Sequence, residues 1–303
     1  MTVLNGKDIR FSKTEKKTAV ALGSFDALHK GHIKVISAMK KYAENNNLLA
    51  VVQLVDIPNV QKINSDEKKL EILQRLGVDV VLKEDFTTEF KSVKYDNFVA
   101  EYIAERYNAA AVFSGENYRF GHMAEGDIQK LSKECGKYGI QVFTEKCVRL
   151  DNIVSSTEIR RFVTEGQMEK VIEYMGRPFS VSGEVVHGRE LGRTIGFPTA
   201  NINLLRGFVV PMDGVYLSKV LFDESVFFGI TNVGAKPTVE VDEKNIETYI
   251  SDYRGNLYGK KVEIQFLRRI RDIQKFESLD SLQAQLMDDE KKLMVLAEEE
   301  KKA

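Results

Sequence analysis

The sequence predicts a two-part chain: an α/β domain built on a parallel sheet, then a mainly β domain closed by a C-terminal helix. Three observations predict it. At 303 residues the chain is longer than one typical hydrophobic core. From Thr18 to about Val148, short apolar runs alternate with amphipathic helical segments, the pattern of βα units. After Gly-Arg-Pro-Phe-Ser at 176–180 that pattern gives way to short strand-like segments separated by Gly-bearing or polar turns. The expected domains are residues 1–175 and 176–303.

In the first half the expected strands are Ala19–Leu22, Leu48–Val55, Asp79–Leu82, Ala111–Phe113 and Ile140–Phe143. A helix carrying Ile33, Ile36 and Met39 follows the first strand. A second lies between strands two and three: Asn64 with Glu67 fits a capping box, Leu70, Leu73 and Leu76 form one face, and Gly77 supplies the stop. A helical stretch from Ser156 to about Met175 leads into the second half. There Phe179–His187, Gly214–Leu221, Ser225–Val233, Glu247–Tyr253 and Lys260–Leu267 read as strands. In the last of these Val262, Ile264 and Phe266 alternate with Glu263 and Gln265, the period of a half-buried strand. A terminal helix capped near Ser278 carries Leu279, Leu282, Leu286 and Leu293, and its acidic and basic end reads as a solvated face.

Composition excludes several classes. A net charge of −1 argues against a domain that coats nucleic acid. Cys135 and Cys147 have no second pair or nearby His cluster to complete a zinc site, and a reducing compartment is expected. The start is polar, without the apolar core of a signal peptide, and apolar runs such as Leu48 to Val52 are too short to span a bilayer. The expectation is a cytoplasmic protein with neither nucleic acid nor membrane as partner.

In the second half Gly188, Gly192 and Gly196 are spaced by four and interleaved with Arg189 and Arg193. Glycine lets backbone amides approach a phosphate chain and arginine adds charge, although a Gly-rich connection between strands has the same composition. The P-loop pattern is absent. Next come Gly-Phe-Pro-Thr-Ala-Asn at 196–201, Pro-Met-Asp-Gly-Val-Tyr at 211–216, the segment 231–238 and Glu-Thr-Tyr at 247–249. Residues 256–272 and 275–286 complete the series. In this order the motifs resemble the riboflavin kinases over nearly all of residues 177–290. The resemblance implies that Thr199 and Asn201 help hold Mg²⁺ against the phosphates of ATP. It also implies that Glu247 is the catalytic glutamate acting at the terminal ribityl hydroxyl of riboflavin, with FMN as product. Taken alone, a strand glutamate is more often solvent-facing.

In the first half His29-Lys30-Gly31-His32 stands just after a strand, at the start of a helix. Histidines at that spacing face the same way, and unpaired amides at a helix N-terminus attract anions. Metal binding and plain surface histidines are the rival readings. Gly23, Ser24, Phe25, Asp26, His29, Gly31 and His32 together resemble the HxGH region of nucleotidyltransferases, whose histidines steady the α-phosphate. Ser155, Ser156, Thr157 and Arg160 resemble the phosphate-binding SSTxxR element, although Ser155 with Glu158 also fits a capping box.

Both halves together resemble bifunctional bacterial riboflavin kinase/FMN adenylyltransferases over about residues 18–290. The resemblance implies an α/β Rossmann-like nucleotidyltransferase domain followed by a mainly β barrel riboflavin kinase domain with a C-terminal helix. Riboflavin, FMN and ATP would be the substrates and Mg²⁺ the cofactor. The chain departs from the family at Ser24, where Asn is usual, and in Leu54-Val55-Asp56-Ile57-Pro58-Asn59, which lacks the usual histidine. It departs again at Glu116-Asn117, where an acid is usual at the second position, and at Glu158 in place of Arg. Two other readings stand beside the bifunctional one: a kinase with a structural or regulatory first domain, and a flavin or nucleotide sensor without turnover.

Overall fold

The computed structural model describes residues 1–6, 10–11, 16–188, 196–204, 207–235 and 244–302. Two compact units divide the chain at Ser156/Thr157.

The first unit is a six-stranded sheet in the order β1-β4-β3-β2-β5-β6. Its strands are β1 Thr2–Asn5, β2 Thr18–Ala21, β3 Leu49–Asp56, β4 Val80–Asp85, β5 Ala109–Gly115 and β6 Gln141–Glu145. All five pairings are parallel. The Rossmann-like expectation is met, with β1 as an edge strand the sequence reading omitted. A parallel sheet covered on both faces reads as continuous apolar runs. Accordingly β2 is buried at every residue and β3 at Ala50 through Leu54.

Alternation along the strands divides the core into two layers. Ala21, Val52 and Phe113 pack beneath helix α1, Lys30–Asn45, with its Ile36 and Met39. Val20, Val51 and Val112 pack on the opposite face with Phe98, Ile103 and Tyr107. Helix α2, Asp66–Arg75, is capped by Ser65, whose hydroxyl accepts from Lys68 N at 3.2 Å. The expected cap Asn64 instead sends its amide to the carbonyl of Asp26 at 2.5 Å, fastening two loops together.

Helices α3 Thr88–Ser92 and α4 Tyr95–Asn97 run into a π-wound segment, Phe98–Arg106, all in a stretch where the sequence suggested no element. Helix α5, Ile128–Gly136, precedes β6. Connections from β2 run outward through β3 to β4, and the chain then returns to place β5 on the other side of β2. That reversal opens a crevice at the carboxyl ends of β2 and β5.

The second unit begins one residue into α6, Ser156–Thr164, and continues with α7 Met168–Met175. The single helix expected over 156–175 is broken at Gly166, whose φ of +74° favours glycine. A Cβ there would stand 2.7 Å from the Arg269 side chain. The sequence reading assigned these helices to residues 1–175, whereas in the structure α7 packs on strands β7 and β12 and groups with the second unit.

The strands β7 Phe179–Val186, β8 Thr199–Leu204, β9 Gly214–Phe222, β10 Ser225–Ala235, β11 Lys244–Ile250 and β12 Lys261–Arg271 close a barrel in the order β10-β11-β8-β7-β12-β9. Closure leaves no open sheet edge. Strand β8 was not foreseen, and β11 begins three residues before the expected Glu247. Tyr216, Ser218 and Val220 lie on one face of β9, and Ser218, Thr231 and Thr248 join in a buried hydroxyl ladder with spacings of 2.7 and 2.9 Å. On the other face Val215, Leu217 and Ile230 pack against Leu293 of helix α8, Leu279–Lys302.

Helix α8 is fixed by Asp289, fully buried, whose carboxylate receives Arg271 Nη2 at 2.8 Å and Nε at 3.0 Å. Removing one partner of such a pair strands the other charge. Asp289→Ala is therefore expected to destabilise the barrel unit by about 3–5 kcal/mol, read from its calorimetric unfolding transition. The double change Asp289→Leu with Arg271→Met should recover most of that loss. An unchanged transition in the single variant would contradict the anchoring role.

Candidate active sites

In the first unit a cavity of about 380 Å³ opens over the sheet crevice. The loop after β2 forms one wall and turns into α1. Phe25 and Leu28 take φ values of +48° and +44°, which fold the loop tightly. His29 caps α1: its Nδ1 accepts from the backbone N–H of His32 at 3.2 Å. An accepting Nδ1 carries no proton, so in the neutral ring Nε2 is the N–H donor.

The His29 ring, 5% exposed, stacks on His32 with centroids 3.6 Å apart, and Phe25 meets His32 edge-on at 5.1 Å. Gly31 leaves room for this stack, since a Cβ there would crowd the His29 ring at 3.2 Å. The helix N-terminus thus presents its amides beside two coupled imidazoles, an arrangement suited to an anion.

The cavity gathers most of the residues expected from the sequence. Gly23, Ser24, Phe25, His29, Gly31 and His32 line it, as do Ser155 and Ser156. Asp26 is placed differently. Its carboxylate accepts from the backbone N–H of Ile63 at 3.2 Å, which pins the loop after β3. Thr157 and Arg160 belong to α6 in the second unit.

The departures from the family pattern also have definite positions. Asn117 and Ile57 both line the cavity. Glu116 accepts from the backbone N–H of Cys147 at 2.9 Å, which lowers the pKa of its carboxyl and ties the loop after β5 to the loop after β6. Glu158 pairs with Arg161 at 2.9 Å, so its charge is offset within its own helix.

Sequence reasoning missed the aromatic side of this cavity, where Phe86, Phe90, Phe98, Tyr118 and Phe120 stand. Its signal was the density of aromatic residues between Phe86 and Phe98 in a stretch assigned no element. It also missed Gln53, buried in β3 and lining the cavity floor. Gln53 Nε2 donates to the Tyr107 hydroxyl at 2.8 Å, and that hydroxyl donates to Glu84 Oε1 at 2.8 Å. Burial raises the Glu84 pKa, while the Tyr107 hydroxyl and Arg106, 3.6 Å away, act to lower it.

In the second unit β8 and β11 assemble another cluster. Their antiparallel register sets Asn201 opposite Glu247 and Thr199 opposite Tyr249, so these side chains share one face. The Thr199 hydroxyl donates to Glu247 Oε1, leaving both lone pairs of its oxygen for a further partner. Asn245 Nδ2 approaches Asn201 Oδ1 at 3.4 Å. Gly188 allows Asn201 its place, because a Cβ there would stand 2.1 Å from the Asn201 amide nitrogen.

Beside Thr199 a cavity of about 590 Å³ is bordered by Val185, Pro198, Tyr253, Asn256 and Tyr258. His187 stacks on Tyr258 with centroids 3.7 Å apart. Gly196 adopts φ +86° just ahead of this segment. The expected phosphate residues Arg189, Gly192 and Arg193 lie outside the described residues.

Family models match the two units in turn: FAD synthetase over residues 11–158 and riboflavin kinase over 175–296. The bifunctional riboflavin kinase/FMN adenylyltransferase of Escherichia coli K12 is 34% identical over 286 residues, covering 89% of this chain and 90% of the relative. The chain belongs to the bifunctional riboflavin kinase/FMN adenylyltransferase family. The family member from Listeria monocytogenes is likewise 34% identical, over 289 residues and 91% of each chain.

Among solved structures, a Streptococcus pneumoniae protein named as a macrolide-efflux protein is 31% identical, with a TM-score of 0.88 over 96% of this chain and 98% of that one. That name belongs to that protein. Among the described residues here, no helix is long and apolar enough to cross a membrane.

Proposed function

We propose that the second unit transfers the γ-phosphate of ATP to riboflavin and that the first transfers AMP from a second ATP to the resulting FMN. The observation that carries this reading is the presence, in one chain, of the paired histidines at the α1 N-terminus and the Thr199, Asn201 and Glu247 cluster on the barrel. Each cluster supplies what one transfer requires.

In the kinase reaction the terminal ribityl oxygen attacks the γ-phosphorus, the bond to the β,γ-bridging oxygen breaks and ADP leaves. The hydroxyl proton passes to Glu247, whose second carboxylate oxygen has no partner among the described residues. Thr199 Oγ1 and Asn201 Oδ1 are neutral oxygen donors side by side, a set that fits Mg²⁺, which takes its remaining ligands from phosphates and water. When bound, that ion would offset phosphate charge. Gly188, Arg189, Gly192, Arg193 and Gly196 would follow the phosphate chain with backbone amides and guanidinium groups.

In the adenylyltransferase reaction a phosphate oxygen of FMN attacks the α-phosphorus of ATP, the bond to the α,β-bridging oxygen breaks and pyrophosphate leaves. No covalent enzyme intermediate is required. His29 Nε2–H, His32 and the α1 amides would meet the charge developing at the α-phosphate. Gly23, Ser24, Phe25 and Gly31 shape the loop around it, Asp26 holds that loop in place, and Ser155 and Ser156 of the cavity lining offer hydroxyls.

Incubation of the purified chain with riboflavin, Mg²⁺ and ATP labelled at the γ position, followed by chromatography, tests the reading. Labelled FMN should appear first and labelled FAD after it. Formation of neither product would overturn the proposal.

A second prediction concerns Gly188. An alanine methyl would displace the Asn201 amide, so Gly188→Ala should raise the KM for ATP in FMN formation by about tenfold or more while leaving FAD formation from supplied FMN unchanged. Unaltered kinase kinetics would show that the placement of Asn201 is not needed.

A further inference from the structure

The floor of the first-unit cavity contains a buried polar row that the reaction described above does not use. Strand register aligns Val52, Ala21 and Phe113 across β3, β2 and β5. These three pack beneath α1, so the next row, Gln53, Leu22 and Ser114, faces the other side of the sheet. That is the side on which Phe90, Phe98 and Phe120 stand. Leu22 and Gln53 line the cavity there. Ser114 Oγ is fully buried and has no hydrogen-bond partner among the described residues.

The orientation of the Gln53 amide is fixed from behind. Glu84, 5% exposed, accepts the Tyr107 proton, so the Tyr107 oxygen must accept from Gln53, and only the amide nitrogen can donate. Gln53 Oε1 and the second N–H are thereby turned away from Tyr107, and no other hydrogen bond reaches this side chain among the described residues. A buried amide held this way is costly without a partner. Carbonyl and N–H side by side match the imide edge of an isoalloxazine ring, in which N3–H lies next to a ring carbonyl. The aromatic wall suits the rest of that flat ring.

We infer that Gln53, oriented by Tyr107 and Glu84, is a specificity-determining residue that reads the imide edge of FMN in the adenylyltransferase reaction. This rests on the assignment of that reaction to the first unit. Adenine also presents a donor beside an acceptor, but the row faces away from α1, whose N-terminus carries the phosphate-binding histidines.

The test uses the full chain and FAD formation from FMN or from FMN methylated at N3. The wild type should prefer FMN over the methylated analogue by about 100-fold or more in kcat/KM, since a site built for an N–H rejects its absence. Gln53→Met preserves volume and should raise the KM for FMN by about tenfold or more, with the KM for ATP and FMN formation from riboflavin unchanged. It should also erase most of the preference against the methylated analogue.

Tyr107→Phe removes only the orienting hydroxyl and should weaken the same preference while Gln53 remains, which covers the case of a poorly folded Gln53 variant. Wild-type FAD formation with no discrimination at N3, or with discrimination unaltered in both variants, overturns the inference alone. A rise in the KM for ATP instead of FMN overturns it in favour of adenine reading. Absence of FAD formation by the wild type overturns the assigned reaction and this inference with it.

Discussion

Glu247→Gln is expected to lower FMN formation by about 10²–10⁴-fold, the range spanned by loss of a positioned general base. The substitution keeps the size of the side chain and its ability to accept from Thr199, so the β8 and β11 pairing should persist. What disappears is the negative charge that draws the ribityl proton. The KM for ATP should move little, because the nucleotide is held by other groups. FAD formation from supplied FMN should be unaffected, because Glu247 belongs to the barrel and the adenylyl transfer to the first unit. Steady-state rates of both products, measured on one preparation, check the prediction. Turnover close to wild type would remove Glu247 from the chemistry.

His32→Ala should lower FAD formation by about 10²–10³-fold and leave FMN formation intact, since removing one donor aimed at developing phosphate charge costs on that order. The side chain also stacks on His29 and meets Phe25, so its loss changes packing as well as charge. His29→Asn separates the two roles. Asparagine is a favourable helix cap and should keep α1 in place, yet it cannot put a donor where His29 Nε2 stands. It is expected to lose FAD formation with little change in the unfolding transition of the first unit. Equal loss of both activities in either variant would contradict the division into two sites.

The fold was legible wherever one periodicity dominated. Apolar runs such as Ala19–Leu22 and Leu48–Val55 read as strands of a parallel sheet because nothing polar interrupts them except Gln53. The half-buried alternation of Val262, Ile264 and Phe266 marked β12 equally well. Strand β8 was hidden because Thr199, Asn201 and Asn203 are polar on its outer face, which left Ala200 and Ile202 as a weak signal. The segment Thr88–Arg106 was hidden by its short helical pieces and its π-wound turn, whose period is neither that of a helix nor of a strand.

The site residues divide in the same way. His29 and His32, three apart at a helix start, announced themselves by spacing, and the structure stacks them. Gln53 could not be found so, since its meaning lies in Tyr107 and Glu84, which are distant in sequence and meet it only across the sheet. Asp26 shows the opposite case. A position matched to a motif is used here to hold Ile63. Glu158, which stands where Arg is usual in the family, is offset by Arg161 one turn along the same helix.

The central claim is that the first unit transfers an adenylyl group despite Ile57 and Asn117 in its cavity. It is tested most directly by supplying FMN, Mg²⁺ and ATP labelled at the α position, with no riboflavin present. The account predicts label in FAD and one pyrophosphate released for each FAD formed. Intact FMN with no labelled FAD, from a preparation that still phosphorylates riboflavin, would contradict it and leave a kinase joined to an inactive nucleotidyltransferase fold.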